Sequence, residues 1–514
     1  MPCDLCGRNQ LQQMNTRLTL FFAALFYGFF ATAADIRITD ADLVGDMTYD
    51  WTSDNVYILD GLVYLEAGGE LNIQAGTVVK GASMITTGDN TSALIIARGA
   101  QIFARGTANN PIVFTAEDDD LTDNGDFTAQ DRGEWGGIII LGKATIARPG
   151  GEDGIEGIDA DEARARFGGA DAPEDADNSG VLRYVSIRHG GAQLSTDNEI
   201  NGLTLGGVGS GTELDYIEVF ANEDDGIEFF GGTVSIKHAS VAFCGDDGFD
   251  YDFGWRGKGQ FWFALQAPNT GTGRSGEHDG ANPDGQAPFS QPTIYNATYV
   301  GIGNGASASG GDANRAIPLS VLLRDNAGGF YNNSVFTGFN GAAIAVEDRD
   351  DTEVDAFTRF TEGDLAFVGN VFEDFGAGAA AADLFLAIDQ GEVKVDASSA
   401  SFSAAMAADN TIGAAGIAGI SRTDDGGLDP RLNATSGILA GATPSDDDYF
   451  DGVSYRGAFG NSENWLQGWT ALSEYGYLGD LVTPIDTETC TTITDADLVG
   501  GGTYNWNGGC YVLD

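Results

Sequence analysis

Two copies of one acidic motif stand 22 residues apart near the middle of the chain. The first is Asn222-Glu223-Asp224-Asp225-Gly226-Ile227-Glu228, and the second is Cys244-Gly245-Asp246-Asp247-Gly248-Phe249-Asp250. Asp225 and Asp247 keep the same offset as Glu228 and Asp250. Carboxylates so arranged could hold a hard cation through oxygen ligands, most simply Ca²⁺ on Asp224, Asp225, Glu228, Asp246, Asp247 and Asp250. They could instead divide the acid and base roles of glycosidic-bond hydrolysis, with Asp225, Asp246 and Asp247 as the reacting groups. A lyase would combine the same acids and Ca²⁺ with a basic residue near a uronate, for which Arg256 or Lys258 are the candidates. Against all three stands ordinary turn chemistry, because Asp-Gly pairs tolerate left-handed turns and bond their own backbone. Tyr251, Trp255 and Trp262 could stack on sugar rings, although the run Phe261-Trp262-Phe263 reads equally as core. His189 and His238, each alone on a strand, read as hydrogen-bonded structure.

A repeat of 22 residues matches one turn of a parallel β-solenoid. Stacked turns would place Asp225 over Asp247 at about 4.8 Å, one strand spacing. Carboxylates that close repel unless a cation or a shared proton compensates. The rest of the chain agrees with such a framework. Val56–Leu59, Leu62–Leu65, Leu71–Ile73 and Thr77–Gly81 are short β-type runs between Gly turns, an all-β signature. Helical periodicity is nearly absent, with Ala160–Phe167 the best short candidate. Glu117–Arg132, Arg148–Gly180, Ala267–Pro292 and Gly303–Arg315 are polar insertions that leave the coils and carry binding groups. Gly376–Ala382 with Ala397–Ala408 reads as an insertion or a short helix over the coil end. A dozen or more coils are expected.

With 77 acidic against 25 basic residues, the net charge of -52 excludes recognition of nucleic acid or of an anionic membrane. Seventy-five glycines without a three-residue period exclude collagen. Met14-Asn15-Thr16-Arg17, the apolar run Leu18–Phe30 and Ala31-Thr32-Ala33 form a signal peptide, giving a mature start near Ala34 with no membrane span after it. Export makes a disulfide between Cys490 and Cys510 feasible and leaves Cys244 as a small buried hydrophobe. Ile493–Gly500 is identical to Ile38–Gly45, and Tyr511, Leu513 and Asp514 match Tyr57, Leu59 and Asp60. The expected organisation is therefore an upstream segment and signal over 1–33, a solenoid over 34–484, and over 485–514 the truncated start of a second unit.

The series "GTVVKG", "ALIIARGAQIFARGTANNPIVFTAE", "GEWGGIIILG", "DDGIEFFGGTVSIKH" and "DDGFDYDFGWRGKGQF", with the terminal "YRGAFGNSENWLQGWTALSEYGYL", resembles secreted right-handed parallel β-helix proteins of marine and Bacteroidetes-type bacteria. Those are usually described only as surface or secreted proteins. The resemblance covers Ile36 to Leu478 and implies a single-stranded right-handed parallel β-helix with long polar loops. It implies a secreted or cell-surface location. The function expected for such a chain is a scaffold or adhesion protein with Ca²⁺ on its acidic turns, whose partners are polysaccharide or cell-surface components. The competing expectations are a polysaccharide-active hydrolase or lyase and a non-catalytic glycan binder. The acid pairs are also loosely similar to those of polygalacturonase-type β-helix glycosidases. Those enzymes add Gly-His-Gly and Arg-x-Lys motifs, where this chain has His278-Asp279-Gly280 and Arg256-Gly257-Lys258. That departure bears on hydrolase activity.

Overall fold

The computed structural model describes residues 34–195, 198–268, 274–307, 317–479, 491–493 and 511–513. The short strands read from the sequence stack in parallel, coil on coil, into the expected right-handed β-helix of three faces. On the first face lie Thr48–Trp51, Glu70–Ile73, Gln101–Arg105 and the first halves of Gly180–Arg188, Glu213–Phe220 and Ser235–Ala242. The second halves of those three long strands continue the second face, which starts at Ala34–Ile38 and Asn55–Leu59. The third face is an 11-stranded sheet from Leu62–Leu65 to Glu392–Val393, and only that last strand runs antiparallel. Among the described residues the second face, continued to Thr411–Ile412, stacks twelve parallel strands, the dozen coils expected, and the third face has ten.

Alternation along each strand decides what faces inward. On the third face Leu94, Ile138, Leu203, Ile227 and Phe249 stack into the interior, as do Ile96, Ile140, Leu205, Phe229 and Tyr251. Between the first two faces the chain turns on one residue with positive φ. Tyr184, Tyr216, His238 and Phe261 hold this turn in four successive coils, at φ 49°, 54°, 47° and 57°. Bulky residues rarely adopt that conformation. Here their rings stack at 4.3, 4.1 and 4.9 Å, which offsets the strain.

The C-terminal segment returns along the outside of this corner. Trp465, Leu466, Trp469, Leu472 and Tyr477 pack with Phe220, Phe243 and Phe263 of the coils. Its short helix Ala471–Glu474 docks on Glu218, whose carboxylate accepts the amides of Ala471 at 2.7 Å and Leu472 at 3.3 Å and the hydroxyl of Ser186 at 2.6 Å. Arg188, 1% exposed, pairs with Glu474 at 2.8 Å. The Ala-rich stretch is a helix, Ala397–Asp409, whose Phe402 and Met406 join the interior at the coil end. Ala160–Phe167 forms a single 3₁₀ turn, Ala163–Ala165, followed by the short strand Arg166–Phe167, rather than a longer helix.

The expected signal peptide and Cys490 with Cys510 lie outside the described residues, as does most of 485–514. Within the repeated segment, Ile493 pairs in parallel with Leu513, the register Ile38 keeps with Leu59. Cys244 is buried and free. Among the described residues no helix is long and apolar enough to cross a membrane.

Candidate functional site: a carboxylate ladder on the third face

Glu228, Asp250 and Glu277 are register partners on consecutive strands of the third face, one position out of phase with the inward Ile227, Phe249 and Phe229. They therefore point outward. The same outward row is apolar on either side of them. It begins with Tyr64, Ile95 and Ile139, packed with Ile146 and with Ile155 and Phe167 of the 148–180 insertion. It resumes with Leu322 and Ala345, which pack with Leu319 and Leu386. The acids occupy the interval between two apolar patches.

One turn upstream, Asn201, Asp225, Asp247 and Arg274 occupy equivalent positions in successive coils. The amides of Gly202, Gly226 and Gly248 donate in turn to the carbonyls of Asp225, Asp247 and Arg274 at 3.0, 3.0 and 2.9 Å. The glycine is required: a Cβ on Gly226 would lie 2.6 Å from the Gly248 carbonyl oxygen and 2.3 Å from Val241 Cγ1. Asp225 Oδ1 accepts the Asp247 amide at 2.8 Å, and Asp247 Oδ1 accepts the Arg274 amide. Each aspartate thus closes the turn of the next coil, so turn chemistry and any further role share the same side chains.

The ladder brings two carboxylate triples together, with ligand oxygens within 4.8 Å of one another: Asp224, Asp225 and Asp246, and Asp225, Glu228 and Asp250. Asp225, Glu228 and Asp247 are buried, while Asp224, Asp246 and Asp250 are partly exposed. Burial, and then the neighbouring carboxylates, push Asp225, Glu228 and Asp250 well above the usual carboxylate range. Asn201 donates its side-chain amide to Glu228, whereas Asp250 Oδ1 is buried without a hydrogen-bond partner. On the far side Arg274 pairs with Glu277 and Asp247, and Arg324 reaches Glu277 at 2.6 Å and Asp279 at 2.8 Å.

Five of the six acids of the sequence motif fall in these triples, Asp247 stands beside them against Arg274, and the other candidates do not join them. Arg256 and Lys258 project from the first face, where Arg256 lies 3.6 Å from Asp175 and Lys258 pairs with Asp447. Tyr251, Trp255 and Trp262 are 1%, 0% and 0% exposed, so no ring surface remains for a sugar. Their polar atoms are spent on the Gly328, Val234 and Ile236 carbonyls at 3.0, 3.0 and 3.1 Å. His189 and His238 are structural, as read: His189 bonds the Asp131 carbonyl at 2.6 Å, and His238 bonds Asp215 at 2.8 Å. The residues that sequence reasoning missed are Asn201, Arg274, Glu277 and Arg324.

The family model described as "Pectate-lyase like beta helix domain" matches residues 44–418. The chain belongs to that family. The match takes in the whole carboxylate ladder and all the described parallel strands of the pectate-lyase-like solenoid from Thr48–Trp51 to Thr411–Ile412. It carries the expected fold but no particular bacterial group. No curated protein and no solved structure matches the chain.

The ladder extends toward the C-terminal coils as Asp325 and Glu347, with the Asp325 amide donating to Glu347 at 2.9 Å. Burial, and then the charge of Asp279, raise Asp325 to about 6; burial chiefly raises Glu347 to about 7. A raised carboxyl binds its proton more tightly folded than unfolded, so stability falls as pH rises from the unfolded value toward the folded one. The melting temperature is expected to drop between pH 5 and pH 7.5, and Glu347→Gln should flatten that slope. An unchanged slope in the variant would remove Glu347 from the account.

Proposed function

We propose that this protein is an exported polysaccharide-active enzyme, with Asp225, Asp246 and Asp247 as its acid and base groups. The observation that supports this best is the meeting of carboxylates from adjacent coils on an outer face, at least one with its proton affinity raised. Glycosidic hydrolysis needs one carboxyl that donates a proton to the leaving oxygen and another that stays ionised to activate water or attack. Asp225, buried among like charges, suits the proton donor; Asp246, partly exposed, suits the ionised partner. Hydrolysis is favoured over elimination with Arg256 or Lys258 as base, because both stand on another face. A lyase would have to use Arg274 or Arg324, which are already engaged by Glu277. The direct test is release of reducing ends or unsaturated products from a panel of neutral and acidic polysaccharides. A scaffold or adhesion protein would retain a polymer and release nothing.

A second reading, a Ca²⁺ site in the same ladder, is favoured by the unpartnered Asp250 Oδ1 beside Asp225 and Glu228. A hard cation with oxygen ligands would offset the repulsion that otherwise raises these groups. Ca²⁺ at a hundred times its dissociation constant should add about 2.7 kcal/mol to stability. Chelator should therefore lower the melting temperature at pH 7.5 and Ca²⁺ restore it, with less effect at pH 5, where protons compete. Identical melts with and without chelator would exclude the ion.

A further inference from the structure

We propose that a groove on the first face, separate from the carboxylate ladder, binds a neutral, hydroxyl-rich glycan segment. The groove encloses about 580 Å³ and is lined by Glu213, Asp215, Lys237, Arg256, Lys258 and Tyr449, among others. It forms where the C-terminal return crosses the coils: Lys237 pairs with Asp451 at 3.0 Å and Lys258 with Asp447, fixing the segment that carries Tyr449. Both ammonium groups also face the Tyr449 ring, at 5.0 and 5.6 Å from its centre.

Three features identify the ligand chemistry. The Tyr449 hydroxyl is buried without a hydrogen-bond partner, whereas Arg256 Nη2 is met by Asp175 at 3.6 Å. Buried polar atoms are nearly always satisfied by protein, water or ligand, so the Tyr449 hydroxyl calls for a partner in the groove. The charges are balanced, because every lining cation has a carboxylate neighbour and Glu213 and Asp215 face the same space. An anionic sugar would find no net positive field, whereas a sugar hydroxyl donates to a carboxylate and accepts from an ammonium group at once. Finally, Tyr449 is the lining aromatic ring, held by two cations and placed to pack against a sugar's CH face. The inference does not depend on whether the ladder is catalytic.

Affinity electrophoresis of the full chain through gels containing a soluble β-glucan, a xylan, a galactomannan or polygalacturonate tests it. Retardation by at least one neutral polymer is expected, and the Asp225→Asn, Asp247→Asn protein should be retarded equally. Tyr449→Ala should weaken retention at least tenfold. Tyr449→Phe, which keeps the ring, should weaken it about two- to tenfold, the effect of one hydrogen bond of roughly 0.5–1.5 kcal/mol. Melting curves establish that both variants are folded. No retardation by any neutral polymer, retardation by polygalacturonate alone, or unchanged retention in folded Tyr449→Ala would each overturn the proposal.

Discussion

Asp225→Asn combined with Asp247→Asn is expected to abolish product release while leaving the protein as stable as before, or more stable. The activity effect follows from removing positioned acid and base groups, which contribute about 10²–10⁴-fold each to such reactions. The stability effect has the opposite sign for a physical reason. Each aspartate accepts a turn amide of the next coil through Oδ1, and an asparagine oxygen can accept the same hydrogen bond. At Asp225 the substitution removes charge buried among like charges, the cause of its raised proton affinity, while Asp247 gives up only a longer pairing with Arg274 at 3.8 Å. Repulsion of this kind weakens the fold at neutral pH, so the double variant should melt at the same temperature or higher at pH 7.5, and its advantage should shrink toward pH 5. Activity and melting temperature falling together would mean that the aspartates serve the turns and nothing else. Full activity in a folded double variant would end the enzymatic reading.

Glu218→Ala is expected to release the C-terminal return from the coils. Glu218 is fully buried, accepts two amides of the short helix and the Ser186 hydroxyl, and helps to neutralise Arg188. Removing one partner of a buried charged network costs about 3–5 kcal/mol, because the groups left behind stay desolvated and unpaired. Limited proteolysis should then cut within 429–478 well before the coils unfold, and the urea midpoint should fall. Glu218→Gln keeps one acceptor oxygen and should show a smaller loss. A protease-resistant C-terminal segment in Glu218→Ala would show that the aromatic contacts of Trp465, Trp469 and Tyr477 suffice alone. Because Tyr449 belongs to the same return, loosening it should also disturb the first-face groove.

Much of the ladder was legible because the coil that separates the two acidic turns carries no insertion. The 22-residue offset puts Glu228 opposite Asp250 and the side chain of Asp225 against the Asp247 amide, as the spacing implied. The next coil ends that regularity. Phe249 pairs with Gly276 and Gly276 with Val321, offsets of 27 and 45 residues, so nothing periodic pointed to Arg274, Glu277 or Arg324. Arg256 and Lys258 stood close to the motif in sequence, yet a coil changes face every few residues. The turn after Asp252 carries them away from the acids to the first face. The aromatic residues failed as ligand platforms for a related reason. Alternation sends every second side chain of a strand inward, and Tyr251 follows Phe229 into the interior.

The amino-acid sequence by itself determined the architecture, because strand length, Gly turns and a repeat near one coil are local properties that recur along the chain. It also determined that two acidic turns would stack, since their separation equals one coil. The tertiary structure decided everything that depends on unequal insertions and on the chain's return. It set which cations meet the ladder, and it made the outward acids a polar interval between two covered apolar patches. It also brought Tyr449 over Lys237 and Lys258 from about 200 residues away. Contacts of that range are set by how loops of arbitrary length close and dock, and no spacing in the sequence encodes them.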